Sequence, residues 1–324
     1  MRYLFVVNPF SGAGKGETTG RLLNTMLPEH PAYCDGRGRT FLVNQLDSGR
    51  LRDVLSGAEA VVAVGGDGTA SSLIPHILRC SSPPALGLIP LGTSNDLARA
   101  VGVSVRDDYT DRQTLRETLD RLSGARHVKL DVLAVNEKVL FCNYFSIGLD
   151  AAIVRDFDNI RNSRWARLFP PGRATNNLLY FLMGLKNAGF HLEPPVEIEY
   201  SDQSEGHRVE IDSRCRAIIV SNLPFYAGGC PIRPDARTDD GLFEITIVRS
   251  AYQFITLIAT RFLPFLRLPS GLRQYRARHA TIYLSSPSPS QIDGDRCCEA
   301  EAIATRLKIS LHATLRVLRP RSPM

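Results

Sequence analysis

The sequence predicts an α/β fold, with a doubly wound, mostly parallel sheet first and a β-rich, sandwich-like domain after it. Two runs, Gly65-Gly66-Asp67-Gly68-Thr69 and Gly92-Thr93-Ser94-Asn95-Asp96, each follow an apolar stretch typical of a buried strand. Loops at the carboxyl ends of strands are where open α/β sheets bind ligands. Near residue 129 the alternation of strands and helices gives way to successive strands, which predicts the second domain.

The first domain is predicted to cover 1–128, where strand and helix patterns alternate as crossover helices of a parallel sheet require. Its last element is expected to come from the end of the chain, because 314–324 are a candidate to return to this sheet. Strands are predicted at 3–7, 40–44, 60–64 and 85–89, and helices at 17–27, 48–57, 70–79, from Asn95 onward and at 111–123.

The second domain, 129–313, is predicted to be mostly antiparallel, because short strands follow one another around turn residues. The clearest pair is 129–135 with 138–145, joined by Asn136-Glu137. Further strands are predicted at 196–200, 209–212, 215–221, 242–248, 279–284 and 306–318, with helices at 150–156, 175–188 and 250–263.

Charge, cysteine content and hydrophobic patterning indicate what kind of protein this is and which partners it could have. A net charge of +6 and a pI near 9.0 fit anionic partners such as nucleotides or acidic headgroups, while no recognised nucleic-acid module is present. Seven cysteines without a C-x-x-C pair are typical of reduced thiols in the cytoplasm. No signal-peptide pattern opens the chain, and 251–268 is interrupted by arginines and a proline, so no transmembrane segment is expected.

The two glycine-rich loops have the chemistry of a phosphate site. Paired glycines let backbone N–H groups approach a phosphate, and Thr69 and Thr93 add hydroxyl donors. Asp67 and Asp96 would repel the phosphate itself, so they fit a hard cation such as Mg²⁺ between them. An earlier loop, 8–16, also leads from a strand into a helix, but it matches neither common phosphate-loop pattern, and a plain tight turn explains it equally well.

The motifs together resemble the diacylglycerol kinase family, which includes sphingosine kinases and bacterial soluble lipid kinases. The resemblance spans 3–319, with its motifs in the family's order. In the first domain it rests on Asn8-Pro9-x-Ser11-Gly12, on Gly65 to Thr69 and on Pro90-Leu91-Gly92-Thr93-x-Asn95-Asp96-x-Ala98-Arg99. In the second domain it rests on Asn143-Tyr144-Phe145-Ser146-Ile147-Gly148-x-Asp150-Ala151, Ala227-Gly228-Gly229, Asp239-Asp240-Gly241-Leu242 and Asp293-Gly294-Asp295.

The resemblance implies a two-domain kinase whose first domain resembles that of NAD kinases and whose active site lies in the cleft between the domains. It also implies a catalytic base at Asp295, with Asp293 as the alternative. Mg²⁺ would be organised by Asp67, Asp96 and Asp131, and a structural metal held by Asp240 and the Leu242 carbonyl. The implied ATP-binding residues are Asn8, Ser11, Gly12, Asn44, Gly65, Gly66, Asp67, Gly68, Thr69, Gly92 and Thr93.

Two of these positions depart from the family pattern. Relatives often have Thr where this chain has Asn44, and they usually have Glu where it has Asp295. The shorter Asp295 side chain would move a base by about 1 Å, a shift that can cost roughly 100-fold in rate.

The expected function is therefore an ATP- and Mg²⁺-dependent kinase of diacylglycerol, giving phosphatidic acid. Kinases of a sphingoid base or another glycerolipid remain alternatives, as does a catalytically weak lipid- or nucleotide-binding regulator. An NAD kinase shares the run at 65–69, but the motifs from Asn143 onward argue against it.

The expected location is the cytoplasm, on a membrane surface that holds the lipid substrate. Two segments are candidates to contact it: the apolar face of 254–266, which equally fits a core helix, and the arginine-rich run 155–173. The oligomeric state stays open, a homodimer included.

Overall fold

The computed structural model describes residues 2–43, 48–105, 107–163, 173–202, 205–211, 215–261, 263, 268–269, 271–296 and 304–321. The chain divides into two compact units. The first unit comprises 1–130 together with 313–324, and the second comprises 131–312.

The first unit is built from alternating strands and helices. Its strands are β1 (Tyr3–Val7), β2 (Gly38–Leu42), β3 (Ala60–Gly65) and β4 (Ala85–Pro90), and its helices are α1 (Lys15–Met26), α2 (Ser48–Leu55), α3 (Asp67–Leu78), α4 (Asp96–Ala100) and α5 (Arg112–Ser123). Strand β5 (Arg126–Val135) leaves this unit, and β16 (Arg306–Arg319) returns to it, where Val317 pairs with Leu86 of β4.

The four strands form a parallel sheet in the order β2-β1-β3-β4. Because β1 lies between β2 and β3, the chain reverses its direction of winding between β1 and β3. In open α/β sheets such a switch point leaves a crevice at the carboxyl ends of the strands. The loops that follow β1 and β3 border this crevice.

The strands form because their side chains are apolar on both faces, as a sheet covered by helices requires. All residues of β1, β3 and β4 are buried, and Phe5, Val62 and Ile89 share one core with Leu23 of α1 and Leu119 of α5. The predicted helix 70–79 begins earlier, at Asp67, so Asp67, Gly68 and Thr69 form its first turn. An acidic residue is favourable there because the amino end of a helix carries partial positive charge.

The second unit is β-rich, with helices on one side. Its remaining strands are β6 (Val139–Phe141), β7 (Tyr144–Gly148), β8 (Val196–Ser201), β9 (Gly206–Ile211), β10 (Ala217–Ser221), β11 (Phe243–Val248), β12 (Arg273–Ala277), β13 (His279–Leu284), β14 (Ser290–Ile292) and β15 (Asp295–Arg296). Its helices are α6 (Leu149–Arg161), α7 (Arg173–Lys186) and α8 (Ala251–Ala259).

A six-stranded sheet, ordered β12-β11-β10-β7-β14-β15, organises this unit. Alternate residues of β10 serve two cores, since successive side chains point to opposite faces. Ile218 of β10 packs with Ile198 of β8 and Ile282 of β13 on one face. Ile219 packs with Leu257 of α8 on the other. The fold class is therefore confirmed, a wound α/β unit followed by a β-rich one.

Two details of the prediction were wrong. The predicted strand 138–145 is two strands, because β6 pairs with β5 whereas β7 joins the six-stranded sheet. Strands β12, β14 and β15 were missed, since they are short or rich in arginine and carry little apolar alternation. The turn at Asn136-Glu137 was predicted correctly, and both residues have positive φ, as a tight two-residue hairpin requires. None of the described helices is long and apolar enough to cross a bilayer.

Replacing Gly148 should destabilise the second unit. This residue links β7 to α6 with φ +108°, and a Cβ there would lie 2.3 Å from the Arg216 carbonyl oxygen. We expect Gly148→Ala to lower the free energy of unfolding by about 1–3 kcal/mol from the backbone conformation alone. The control is Gly189→Ala, where a Cβ meets nothing within 4 Å. Equal urea midpoints for the two variants would contradict the conclusion that the backbone at Gly148 requires glycine.

Candidate functional site

Loops from three strands meet at the carboxyl edge of the first sheet. Asn8, directly after β1, bridges two of them, because its Nδ2 donates to Thr69 Oγ1 at 3.3 Å while its Oδ1 accepts the Phe10 N–H at 3.1 Å. The Leu91 N–H donates to the Gly65 carbonyl at 2.8 Å and joins the loops after β3 and β4. The loops after β1, β3 and β4 are therefore bonded to one another, and we call them together the three-loop surface.

The glycines in these loops are required by contact between the loops themselves. A Cβ on Gly92 would lie 2.6 Å from the Gly66 Cα, and one on Gly12, at φ +62°, would lie 2.5 Å from the Leu91 carbonyl oxygen. Neither neighbour is a flexible side chain that could yield. A Cβ on Gly65 would lie 2.3 Å from Thr69 Oγ1. The loops approach closely because Gly12 and Gly92 lack side chains, and Gly65 leaves room for Thr69 within the second loop.

Asp67 ties the second loop to the third. Its Oδ2 accepts the Asp96 N–H at 2.9 Å and its Oδ1 the Leu97 N–H at 3.3 Å, so it caps α4. The Asp96 carboxyl group is buried, with Oδ1 3.9 Å from Arg99 Nε. The Asp67 carboxylate is thus held against the backbone at the start of α4, where Asp96, the second residue predicted to bind Mg²⁺, lies.

Asn95 is a site residue that the sequence reasoning did not single out. It is buried in the left-handed region at φ +52°, and its Nδ2 donates to the Gly92 carbonyl at 2.7 Å. It lines a small pocket with Gly66 and Asp67, and within the described parts of the chain its Oδ1 finds no hydrogen-bond partner. The sequence signal that could have identified it is an Asn at the predicted start of a helix, because Asn adopts the left-handed region more readily than most residues.

The other predicted nucleotide residues lie at the rim of this surface. Gly68 and Thr93 are exposed, and Ser11 is half-buried beside Gly65. Asn44 lies outside the described residues.

The second unit holds the remaining predicted metal residues in a loop cluster. Asp131 Oδ2 accepts the Gly241 N–H at 2.7 Å, and Asp240 Oδ1 accepts the Leu242 N–H at 3.0 Å. Across the described ranges, no group of three or more His, Cys, Asp and Glu side chains is arranged to hold a metal. The two metal assignments stay predictions.

Glu244 of β11 is buried close to this cluster. Its Oε1 lies 3.2 Å from Arg276 Nε. Burial raises the pKa of the Glu244 carboxyl group to about 7, Arg276 opposes this rise, and the Asp240 charge adds to it. The group therefore titrates near neutrality.

The turn that carries the predicted base is a two-residue hairpin between β14 and β15. Asp293 (φ +52°) and Gly294 (φ +92°) form it, which matches the Asp-Gly preference of such turns. Asp293 Oδ1 accepts the N–H groups of Asn143 and Tyr144, each at 3.0 Å. Asp295 begins β15, opposite Ile292, and its side chain lies outside the described part of the structure.

A buried carboxylate, Asp150, lies beneath this turn. Its Oδ2 accepts hydrogen bonds from Ser146 (2.5 Å), Tyr226 (2.6 Å) and Gln291 (2.8 Å). Burial and the Asp150 charge raise the pKa of Tyr226 well above its ordinary value, so its hydroxyl keeps its proton and donates. Gln291 lies two residues before Asp293 on β14, so the cluster anchors the strand that leads into the turn.

Comparison with known proteins assigns the chain to a family. Residues 2–134 match the family model described as the diacylglycerol kinase catalytic domain, and residues 140–296 match the one described as the diacylglycerol kinase accessory domain. The chain belongs to the diacylglycerol kinase catalytic-domain family. This confirms the resemblance predicted from the motifs.

Individual relatives agree. The eye-specific diacylglycerol kinase of Drosophila melanogaster is 30% identical over 73% of this chain, and diacylglycerol kinase 2 of Arabidopsis thaliana is 26% identical over 72%. The chain spans only 18% and 35% of these two proteins. A crystal structure described as a diacylglycerol kinase from Bacillus anthracis strain Sterne has a TM-score of 0.63 at 18% identity, covers 98% of this chain and 96% of its own, and shares the fold.

In this diacylglycerol kinase family member, the three-loop surface falls within the catalytic-domain match. Asp150, Asp240 and the Asp293 turn fall within the accessory-domain match. Both family domains thus contribute candidate site residues.

The Glu244 environment predicts a pH-dependent stability. The pKa of this carboxyl group is 4.5 in the unfolded chain and about 7 in the fold, so the folded state holds the proton more tightly. Its contribution is complete below pH 4.5 and is lost as the pH rises through 7, a change on the order of 2 kcal/mol between pH 5 and 8.

Glu244→Gln should remove this dependence, because the amide stays neutral. The measurement is the urea midpoint at pH 5 and pH 8. The control Glu210→Gln makes the same change at an exposed position and should keep the wild-type slope. An unchanged slope in Glu244→Gln would show that another group titrates.

Proposed function

We propose that this chain is an ATP- and Mg²⁺-dependent lipid kinase that phosphorylates the hydroxyl group of diacylglycerol to give phosphatidic acid. The observation that carries the proposal is the three-loop surface at the β1/β3 switch point of a chain that belongs to this family. Phosphoryl transfer mainly requires positioned phosphates, neutralised charge and an oriented nucleophile, and the two units offer residues for each requirement.

The nucleotide phosphates would bind on the three-loop surface. Helix α3 begins at Asp67, immediately after Gly66, so the positive end of its dipole faces the loops. Ser11 and Thr93 would supply hydroxyl donors beside the backbone N–H groups of Gly12 and Gly68. Asn8 and Thr69 would act as positioning residues, since they bond to each other across the first and second loops.

A magnesium ion would bind in the first unit. Mg²⁺ is commonly held by one or two carboxylates together with waters and substrate phosphates. Asp67 and Asp96 would supply two such carboxylates, while Asp131 is implied only by the family resemblance. The ion would neutralise charge on the phosphates. Asp240 and the Leu242 carbonyl remain our candidates for a structural metal in the second unit.

We propose Asp295 as the general base that takes the proton from the lipid hydroxyl group. Asp293 is less suited, because two backbone N–H groups already bind its Oδ1 and hold the turn in place. Hydrogen bonds to an ionised carboxylate make it a weaker base. Asp293 is therefore a positioning residue for the turn that presents Asp295.

The lipid substrate would be reached at the surface of a bilayer on its cytoplasmic side, because its acyl chains do not leave the hydrocarbon. The direct test is transfer of phosphate from radiolabelled ATP over a panel of lipids in mixed micelles. We expect labelled phosphatidic acid from diacylglycerol, dependent on Mg²⁺. Labelling of a sphingoid base instead would change the substrate, and tight ATP binding without transfer to any lipid would indicate a binding protein.

Gly92→Ala should weaken ATP binding, because its methyl group would force the second and third loops apart. We expect the dissociation constant to rise about tenfold or more, which corresponds to a loss of at least about 1.4 kcal/mol of binding free energy. The measurement is calorimetric titration with a non-hydrolysable ATP analogue. The control, Gly57→Ala, places its Cβ at an ordinary 3.4 Å from an arginine side chain in the same unit. Equal affinities for the two variants would disprove the phosphate assignment.

Asp295→Asn should lower kcat by about 100-fold or more, since the amide cannot accept the proton. Asp293→Asn is the matched control, because its Oδ1 can still accept both backbone N–H groups and keep the turn. Its kcat should fall much less. Steady-state kinetics with diacylglycerol at saturating ATP distinguish the two, and the opposite order of effects would make Asp293 the base.

A further inference from the structure

Helix α7 exposes a continuous apolar stripe. Leu178, Phe181, Leu182 and Leu185 have 51%, 62%, 38% and 58% of their surface exposed. Their spacing of three, four and seven residues places them on one face over two helical turns, about 10 Å along the axis. Large apolar side chains gathered in this way are uncommon on the surface of a soluble domain and mark an interaction surface.

The stripe belongs to a well-anchored helix. On the opposite face Leu179 is buried, and Met183 packs against the core under the six-stranded sheet. At the end of the helix, Lys186 Nζ lies 2.7 Å from Asp156 Oδ2 of α6, and Asn187 Nδ2 donates to the same carboxylate at 3.0 Å. The apolar face is therefore held outward by packing behind it.

The sequence segment that contains α7 is basic. The sequence from 159 to 192, which contains the whole helix, has five Arg or Lys residues and no Asp or Glu. Arg161 lies over the Phe157 ring, 5.5 Å from its centroid, and Phe157 stacks on Tyr180 of α7 at 4.2 Å. Arginine and aromatic rings beside an apolar helical face are the features of a helix that lies in a membrane interface.

We propose that this stripe docks the protein on a bilayer that contains anionic lipid, with Phe181 and the three leucines inserted among the acyl chains. The inference deepens the proposed function, on which it rests, by naming the surface through which the lipid substrate is reached. Anionic headgroups complement the basic segment. A second copy of this chain does not, because a two-fold contact would place the same basic segments against each other.

Helix α8 offers a matched comparison. Tyr252 and Ile255 are 71% and 65% exposed, and the sequence from 245 to 292 also contains arginines without Asp or Glu. This helix presents only two adjacent apolar residues, whereas α7 presents four in one stripe. If composition and charge alone caused binding, both helices would matter equally.

The test is co-sedimentation with vesicles of phosphatidylcholine containing 0, 20 or 40% phosphatidylglycerol, without ATP, so that binding is measured independently of catalysis. The variant is Leu178→Ser/Phe181→Ser/Leu185→Ser, and the control is Tyr252→Ser/Ile255→Ser. We expect at least about a tenfold lower partition coefficient in the α7 variant and less than a twofold change in the control. Binding of the unsubstituted protein should rise with phosphatidylglycerol and persist in part at 0.5 M salt, since apolar insertion is not screened.

Two further measurements decide the interpretation. Circular dichroism must show that the α7 variant is folded, and with a short-chain, water-dispersed diacylglycerol its kcat should match that of the unsubstituted protein. Equal losses for both variants, or no loss for either, would overturn the proposal. So would a dimer in sedimentation equilibrium that the α7 substitutions convert to a monomer. Vesicle binding through α7 without phosphorylation of any lipid would leave the docking surface standing and refute the proposed kinase activity.

Discussion

The contact between the Gly66 and Gly92 backbones is the constraint on which the first unit's candidate site depends. Strands β3 and β4 are neighbours, so the loops that follow them emerge only one strand spacing apart. Hydrogen bonds from the Asp96 and Leu97 N–H groups to Asp67 then pull the start of α4 against the second loop. A Cβ on Gly92 would lie 2.6 Å from the Gly66 Cα, and one on Gly66 would lie 3.2 Å from the Gly92 Cα, so the substitution at Gly92 should disturb this contact more.

In the second unit, the turn before Asp295 is held in place by a few hydrogen bonds. Its catalytic candidate lies on a two-residue hairpin, an element with little rigidity of its own. The turn is held from two directions, by Asp293 on the backbone after β6 and by Gln291 on the buried Asp150 carboxylate. Three donors share one Asp150 oxygen, so the burial of this charge is offset by charge-assisted hydrogen bonds. The backbone that leads into Asp295 is thus supported on both sides of the turn.

Helices α7 and α8 of the second unit carry apolar residues on a buried face and on an exposed face. Leu257 of α8 and Met183 of α7 pack in one core, yet both helices leave apolar residues exposed on the side away from it. For α8, the sequence left a core helix and an interfacial helix as alternatives, and one helix has features of both. The α7 stripe escaped sequence reasoning because a helix with apolar residues on two faces resembles a buried one.

The sequence by itself determined most of the helices and strands in their order along the chain, the glycine-rich loops at the ends of β3 and β4, and the family. It could do so because apolar runs, glycines and carboxylates recur at fixed local spacing. It also determined the hairpin at Asn136-Glu137, which depends on two neighbouring residues. Only the tertiary structure decided that the glycines serve contact between loops, that Asp150 and Gln291, 141 residues apart, share a hydrogen bond, and that β6 and β7 belong to different sheets. These features depend on contacts between residues far apart in the chain, and the local spacing of residue types does not predict such contacts.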